Sequence, residues 1–224
     1  MERRISFIVP VLNEAHGIVR CLETLVPLRA RSHEVIVVDG GSRDGTPALA
    51  QGLADRVLTA PCGRALQMNA GADAASGSAL VFLHADVRLP RDADRMVLQA
   101  LAARPWGRFD LKLDSPRVLL ALVGAMMNLR SRLTGIATGD QALFVRRDVF
   151  EHLGGYAAIA LMEDIELSSR LRRAGRPACL RARVLASARR WETRGALRTI
   201  VLMWRLRLAY RLGADPARLA ERYR

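Results

Sequence analysis

The 224-residue chain predicts an α/β fold, a mostly parallel sheet flanked by helices, with a basic helical segment at its C-terminal end. Three features of the sequence point to it. Apolar runs of strand length alternate with segments of helical period. Half of all positions are hydrophobic, which supplies one compact domain with its own core. The polar residues suited to chemistry follow directly on the buried runs, where open parallel sheets bind their ligands.

Taken in order, residues 4–10 read as the first strand and residues 13–26 as a helix with Ile18, Cys21, Leu22 and Leu25 on one face. Residues 34–39 are a buried strand of β-branched residues ended by Gly40-Gly41, with Asp44 capping a helix near Thr46-Pro47. A helix over 64–75 precedes a second buried strand, 79–83. The next half is less regular: a strand at 109–113, a helix over 117–133, a short strand at 141–145 and a helix over 148–153. Residues 161–174 read as a helix ended by Gly175 and Pro177, then 178–187 as a strand. A long arginine-rich helix is expected over 193–212, with Asp215-Pro216 opening a last one. The expected division is a domain over 1–192 and a basic helical extension over 193–224 packed on it.

Charge is unevenly spread. Net charge is +13, and residues 170–224, with 16 basic and 3 acidic side chains, hold all of the excess. Such a quarter suits an anionic partner: phosphate, a membrane surface or nucleic acid. With aromatics at 5% and no stacking platform or nucleic-acid motif, a nucleic-acid-binding module is the rival class and no nucleic acid is expected as a partner. Three widely spaced cysteines, Cys21, Cys62 and Cys179, fit neither a disulfide framework nor a CxxC zinc site, so a reducing, cytoplasmic setting is expected. The start does not read as a signal peptide, and the longest charge-free apolar run, 118–129, is short of the roughly 20 residues that span a bilayer.

Three strand ends carry the polar residues: Pro10-Val11-Leu12-Asn13-Glu14, Asp39-Gly40-Gly41-Ser42-Arg43-Asp44-Gly45-Thr46, and His84-Ala85-Asp86. Glycine-rich turns let backbone approach a ligand, and Asn or Asp at a strand end can hydrogen-bond a base or ribose. Each could alone be an ordinary turn or helix cap; the three in succession describe a nucleotide pocket. A nucleotidyl-transfer enzyme of the same fold class would need a glycine-rich, Arg- or Lys-bearing loop after the first strand, and Pro-Val-Leu-Asn-Glu stands there instead.

From Ile5 to about Trp191 the chain resembles the inverting family 2 glycosyltransferases, whose fold is called GT-A. The resemblance rests on IVPVLNE, EVIVVDGGSRDGT, GRALQMNAG followed by LVFLHAD, and GGY followed by MEDIELSSRL. More narrowly, GRALQMNAG, RSRLTGIATGDQALFVRR, LMEDIELS and RRWETRG are similar to a small subgroup called transferase 2, radical-SAM/selenodomain-associated, also named arsenosugar biosynthesis glycosyltransferases. The resemblance implies a nucleotide-diphosphate sugar donor, UDP-linked by family habit, and a divalent metal, Mg²⁺ or Mn²⁺.

Residue by residue, it implies that Pro10, Asn13 and Glu14 border the nucleoside and that Asp39 accepts a hydrogen bond from the base. Arg64 and Asn69 would approach the nucleotide sugar, and Asp86 would hold the metal bridging the diphosphate. Asp164, with Glu163 beside it, matches the acidic pair that contains the catalytic base. Gly139, Asp140 and Gln141 take the position that faces acceptor and donor sugar, and Arg189, Arg190 and Trp191 that of an element over the diphosphate, where guanidinium forks match phosphate oxygens. One departure stands out: the usual Asp-x-Asp of the metal site begins here with His84, which can bind metal, contact ribose or merely pack.

Structural alternatives stand beside these roles. Glu163 and Asp164 could simply be acids at a helix N-terminus, 138–141 a plain turn, and 189–191 a solvated basic turn. The helix over 193–212 could lie on an anionic bilayer, on the inner face of the cell membrane, or pack with its arginines reaching outward. The acceptor is left open between a small metabolite and a lipid phosphate.

Overall fold

The computed structural model describes residues 4–223. Strands β1 (Ile5–Val11), β2 (Glu34–Asp39), β3 (Arg56–Thr59) and β4 (Ala79–Phe82) are joined through helices α1 (Ile18–Arg29), α2 (Thr46–Ala50) and α3 (Arg64–Ala74). There follow β5 (Val87–Arg88), α4 (Ala93–Ala103), β6 (Trp106–Asp114), α5 (Val118–Thr134), a 3-10 turn at Gly139–Gln141, β7 (Phe144–Arg146), α6 (Arg147–His152), α7 (Glu163–Ala174) and β8 (Ala178–Ser187). Three helices end the chain: α8 (Arg189–Arg194), α9 (Ala196–Arg211) and α10 (Pro216–Tyr223).

Among the described residues the strands form one eight-stranded sheet in the order β3-β2-β1-β4-β7-β6-β8-β5. β1 is parallel to β2 and β4, β2 to β3, and β6 to β8; β7 is antiparallel to both neighbours, and β5 to β8. The expected α/β architecture with a mostly parallel sheet is thus present. Burial on both faces explains why β1 and β2 are largely apolar, with Ser6 and Glu34 satisfying each other by a hydrogen bond of 2.6 Å. Phe7, Val9, Val35 and Val37 pack with α1 and α4 on one side, while Ile8, Ile36 and Val38 pack with α3 and α7 on the other.

Several expected boundaries differ, each for a local reason. α1 begins at Ile18 rather than residue 13, because Asn13 takes a left-handed backbone (φ 54°) that no helix accommodates. α7 begins at Glu163 rather than 161, because Met162 is left-handed (φ 71°). The short strand expected at 141–145 is a 3-10 turn followed by β7, and Ala142 between them is again left-handed. The single helix expected over 193–212 is broken at Gly195 (φ 84°) into α8 and α9. β3, β5 and α4 were not foreseen. β3 and β5 are short, and the buried face of α4 carries the charged Asp94 beside Ala93, Val97 and Leu101. Asp94 can be buried there because Arg31 and His33 hydrogen-bond its carboxylate.

The C-terminal helices pack back onto the segment before α7. Leu206 and Leu219 form a small buried cluster with Leu161 and Met162. This contact brings α9 beside the acidic start of α7.

Candidate active site

A cavity of about 610 Å³ opens beyond the carboxyl ends of β1 and β4, between α3, the 138–141 turn, the start of α7 and helices α8 and α9. This is where an α/β sheet places its ligand. Of the residues singled out in the sequence, Pro10, Glu14, Arg64, His84, Asp86, Gly139, Asp140, Glu163, Asp164, Arg189, Arg190 and Trp191 line it. Side chains more than 150 positions apart in sequence, such as Pro10 and Asp164, therefore share one space.

Four others brace it. Asp39 is 4% exposed, and its carboxylate accepts hydrogen bonds from the backbone N–H groups of Gly41 (2.9 Å) and Ser42 (3.0 Å), tying the glycine-rich loop to the end of β2. Asn13 accepts from the Arg43 N–H through Oδ1 (2.9 Å), while its own N–H donates to Ser42 Oγ (2.8 Å), so the ends of β1 and β2 are laced together. Asn69 clamps the backbone of Tyr156 with two bonds of 2.9 Å. Gln141 is fully buried and ties its turn to Asn128 of α5.

The sequence reasoning passed over Gln67. Its buried amide donates to the carbonyls of Val11 and Val38, both at 2.8 Å, pinning the ends of β1 and β2 beneath the cavity. The clue was its place on a helix whose other buried residues are apolar or small. Cys62 is exposed on the cavity wall, whereas Met68 is in the core. Thr199, Met203 and Arg207 of α9 also line the space, which the sequence could not disclose because they come from the separately packed C-terminal helices.

At the centre stands the 138–141 turn. The Gly139 N–H donates to Asp164 Oδ2 (2.9 Å), and His84 Nδ1 lies 3.3 Å from Asp140 Oδ1. A Cβ on Gly139 would sit 2.2 Å from His84 Cε1 and 2.3 Å from Nε2, so only glycine lets the ring and the turn approach so closely. Burial opposes a charge on His84, but its hydrogen bond to Asp140 and the nearby carboxylates of Asp140 and Asp86 lift its pKa above the ordinary imidazole value. The same contact holds Asp140 below the usual carboxylate range, against the opposing effect of burial.

Two more carboxylates are perturbed. Burial, then the charge of Asp86, raises Glu14. Burial, then the charge of Asp164, raises Glu163, while Arg64 opposes with Nη1 at 3.6 Å from its carboxylate. Arg189 reaches Glu14 at 3.7 Å, and the Arg190 guanidinium lies over the Tyr223 ring, 4.4 Å from its centre. Acids lowered and raised within one cleft, beside several arginines, are the usual electrostatics of a catalytic pocket.

For a metal, the chain offers Asp86 with Glu14 and His84 nearby. Among the described residues no group of three or more His, Cys, Asp or Glu side chains forms a ready-made metal cage. His84 has Nδ1 on Asp140 and its Nε2 edge against Gly139, which makes it a spacer of the turn. A single carboxylate completed by phosphate oxygens and water fits Mg²⁺ or Mn²⁺.

Residues 6–114 match the family model described as Glycosyl transferase family 2. Over this stretch the chain is similar to the glycosyl transferase family 2 domain. The matched residues hold Asp39, Arg64, His84 and Asp86; the 138–141 turn, the acid pair and α8 lie beyond them. A PGL/p-HBAD biosynthesis glycosyltransferase of Mycobacterium bovis is 30% identical over 162 residues, 67% of this chain and 62% of that protein. The glycosyltransferase AglE of Haloferax volcanii is 34% identical over 91 residues, 37% of this chain and 30% of that protein. This chain thus spans under two thirds of the length of the relatives it matches.

Among solved structures, Staphylococcus aureus TarS 1–349 in complex with UDP superposes with a TM-score of 0.68 at 17% identity, covering 82% of this chain and 60% of that one. The mannosyltransferase PcManGT of Pyrobaculum calidifontis, in complex with GDP-Man and Mn²⁺, gives 0.67 at 22% identity, covering 98% and 68%. These likenesses establish the GT-A fold.

The contact between turn and ring is testable. Gly139→Ala should lower the free energy of unfolding by about 1–3 kcal/mol in a urea titration, and His84→Ala in the same chain should return most of it. Gly139→Ala as stable as the parent protein would mean that turn and ring do not meet.

Proposed function

We propose that this chain is an inverting glycosyltransferase that moves a sugar from a nucleotide-diphosphate donor, UDP-linked in the first instance, to an acceptor hydroxyl. The observation that carries it is the convergence of Arg64, Arg189, Arg190 and Asp86 with the pair Glu163–Asp164 on one cavity. The bound nucleotides of TarS and PcManGT support a nucleotide-diphosphate donor. The narrower likeness to the radical-SAM-associated subgroup belongs to this proposal and rests on the four sequence stretches quoted above.

Asp164 is the general base. Hydrogen bonds from the Gly139 and Ile165 N–H groups (2.9 and 2.7 Å) fix its carboxylate, and a carboxylate so held still has lone pairs for an acceptor hydroxyl. It takes the proton as the hydroxyl oxygen attacks the anomeric carbon, and the nucleotide diphosphate departs from the opposite face. Glu163, buried and close to Arg64, orients this end of the cavity. Arg64, Arg189 and Arg190 face the charge that develops on the leaving group. A divalent metal on Asp86, where bound, supplies further neutralisation of the diphosphate.

A second reading, transfer on an anionic membrane face to a lipid phosphate, is favoured by two exposed apolar stripes. On α5 these are Val118, Leu122, Met126, Leu129 and Leu133, at 51–85% exposure; on α9 and just past it, Leu197, Val201, Trp204, Leu208 and Leu212, at 52–79%. Exposed arginines, Arg198, Arg205 and Arg211, flank the second stripe. Leucine and tryptophan with flanking arginine are what an interfacial helix presents to an anionic bilayer. Among the described residues no helix is long and apolar enough to cross a membrane.

Two outcomes are expected. Asp164→Asn should lower turnover at least about a hundredfold while nucleotide-diphosphate affinity is retained; full activity would remove Asp164 from the role. The protein should pellet with anionic but not neutral liposomes, and Trp204→Glu with Leu208→Glu should abolish it; no pelleting with either vesicle would discard the membrane reading.

A further inference from the structure

Two arginines, one in the cavity wall and one beside it, take no part in the donor contacts proposed above. Arg207 of α9 lines the cavity, and Arg130 of α5 stands close enough for the two positive charges to depress Arg130. Among the described residues neither has a carboxylate within ion-pair distance, although their neighbours do: the wholly buried Arg108 pairs with Asp110, which Arg132 also reaches at 2.6 Å. Arg130 Nε and Nη2 and Arg207 Nε are buried without a hydrogen-bond partner.

Such an arrangement is expensive. Guanidinium N–H groups out of water and without acceptors forfeit their hydration, and two like charges side by side add repulsion. Burial pushes Arg130 down to about 10, and Arg207, Arg108 and Arg211 crowd it further, with Asp164 opposing. Arg207 is lowered by burial as well, with Asp164 and Asp140 opposing. What would satisfy these donors is a compact anion with several acceptor oxygens, for which guanidinium forks are the matching partner.

Position tells which substrate brings it. Arg207 follows Leu206, which packs with Leu161 and Met162 directly before the acid pair, so it enters the cavity beside Asp164, whose charge reaches both arginines. The unpaired donors therefore stand beside the proposed base.

We propose that Arg130 and Arg207 form an anion subsite that holds a phosphate group of the acceptor and so presents its hydroxyl to Asp164. This rests on Asp164 being the acceptor-side base. The acceptor is then a phosphate-bearing alcohol, drawn either from soluble phosphate esters or from a lipid headgroup.

The test is a titration of inorganic phosphate into the full chain, free and saturated with UDP and Mn²⁺. With UDP present, one equivalent of phosphate should still bind. Arg207→Gln and Arg130→Gln should each weaken it at least about tenfold while UDP affinity stays within about twofold. Both variants should melt no lower than the parent protein, since each loses a desolvated, unpaired charge. Competition with phosphate by glycerol 3-phosphate or by short-chain phosphatidic acid supports the subsite and names its source. If UDP does not bind, the donor assignment fails, yet phosphate binding to the free protein, variant against parent, still reads the subsite. Phosphate binding indifferent to both substitutions, no phosphate binding, or unfolding of both variants would overturn the proposal, the last by marking the pair as structural.

Discussion

The site depends on one close approach, that of Gly139 to the His84 ring. His84 is carried at the end of β4, in the parallel half of the sheet, while Gly139 belongs to the turn that leads into β7. With no Cβ in the way, the turn can dock on the ring, and its N–H then reaches Asp164. His84, Asp140, Gly139 and Asp164 are thereby linked from the end of β4 to the acid pair. A side chain at 139 would push apart the two halves of the cavity wall. The His84–Asp140 contact adds charge to the fit, since each partner favours the ionised form of the other.

Much of this was legible in the sequence because the first half of the fold obeys local rules. The interior positions of β1 and β2 are apolar apart from Ser6, and the polar residues that end them lie where a parallel sheet must place them. Family resemblance then supplied roles for side chains beyond strand ends, such as Asp164 and Arg190, that periodicity cannot assign. What could not be read was the division of labour within the motifs. Asp39, Asn13 and Asn69 have the right types for ligand contact, and in the structure each also holds backbone: the Gly41–Ser42 turn, Arg43 and Tyr156. A one-dimensional pattern does not distinguish an amide that meets a ligand from one that holds the loop which does.

The C-terminal quarter teaches the complementary lesson. Its arginine excess was plain, but their uses differ by position. Arg190 stacks on Tyr223 beside the cavity, Arg198 and Arg205 are exposed, and Arg207 is turned inward with an unsatisfied Nε. Gly195 makes this possible, because its left-handed backbone redirects the chain between α8 and α9. A straight helix over 193–212 could not bring Arg190 and Arg207 to the same cavity in this way. Packing of Leu206 and Leu219 on Leu161 and Met162 then sets α9 against the start of α7.

The central claim is that one cavity at the rim of the sheet grips a nucleotide diphosphate between Asp86 and the arginines of α3 and α8. Calorimetric titration of UDP and GDP in the presence of Mn²⁺ addresses it most directly. The account predicts one equivalent bound, weakened at least about tenfold by Arg190→Ala and by Asp86→Asn. Absence of binding by either nucleotide, or binding untouched by both substitutions, would contradict it.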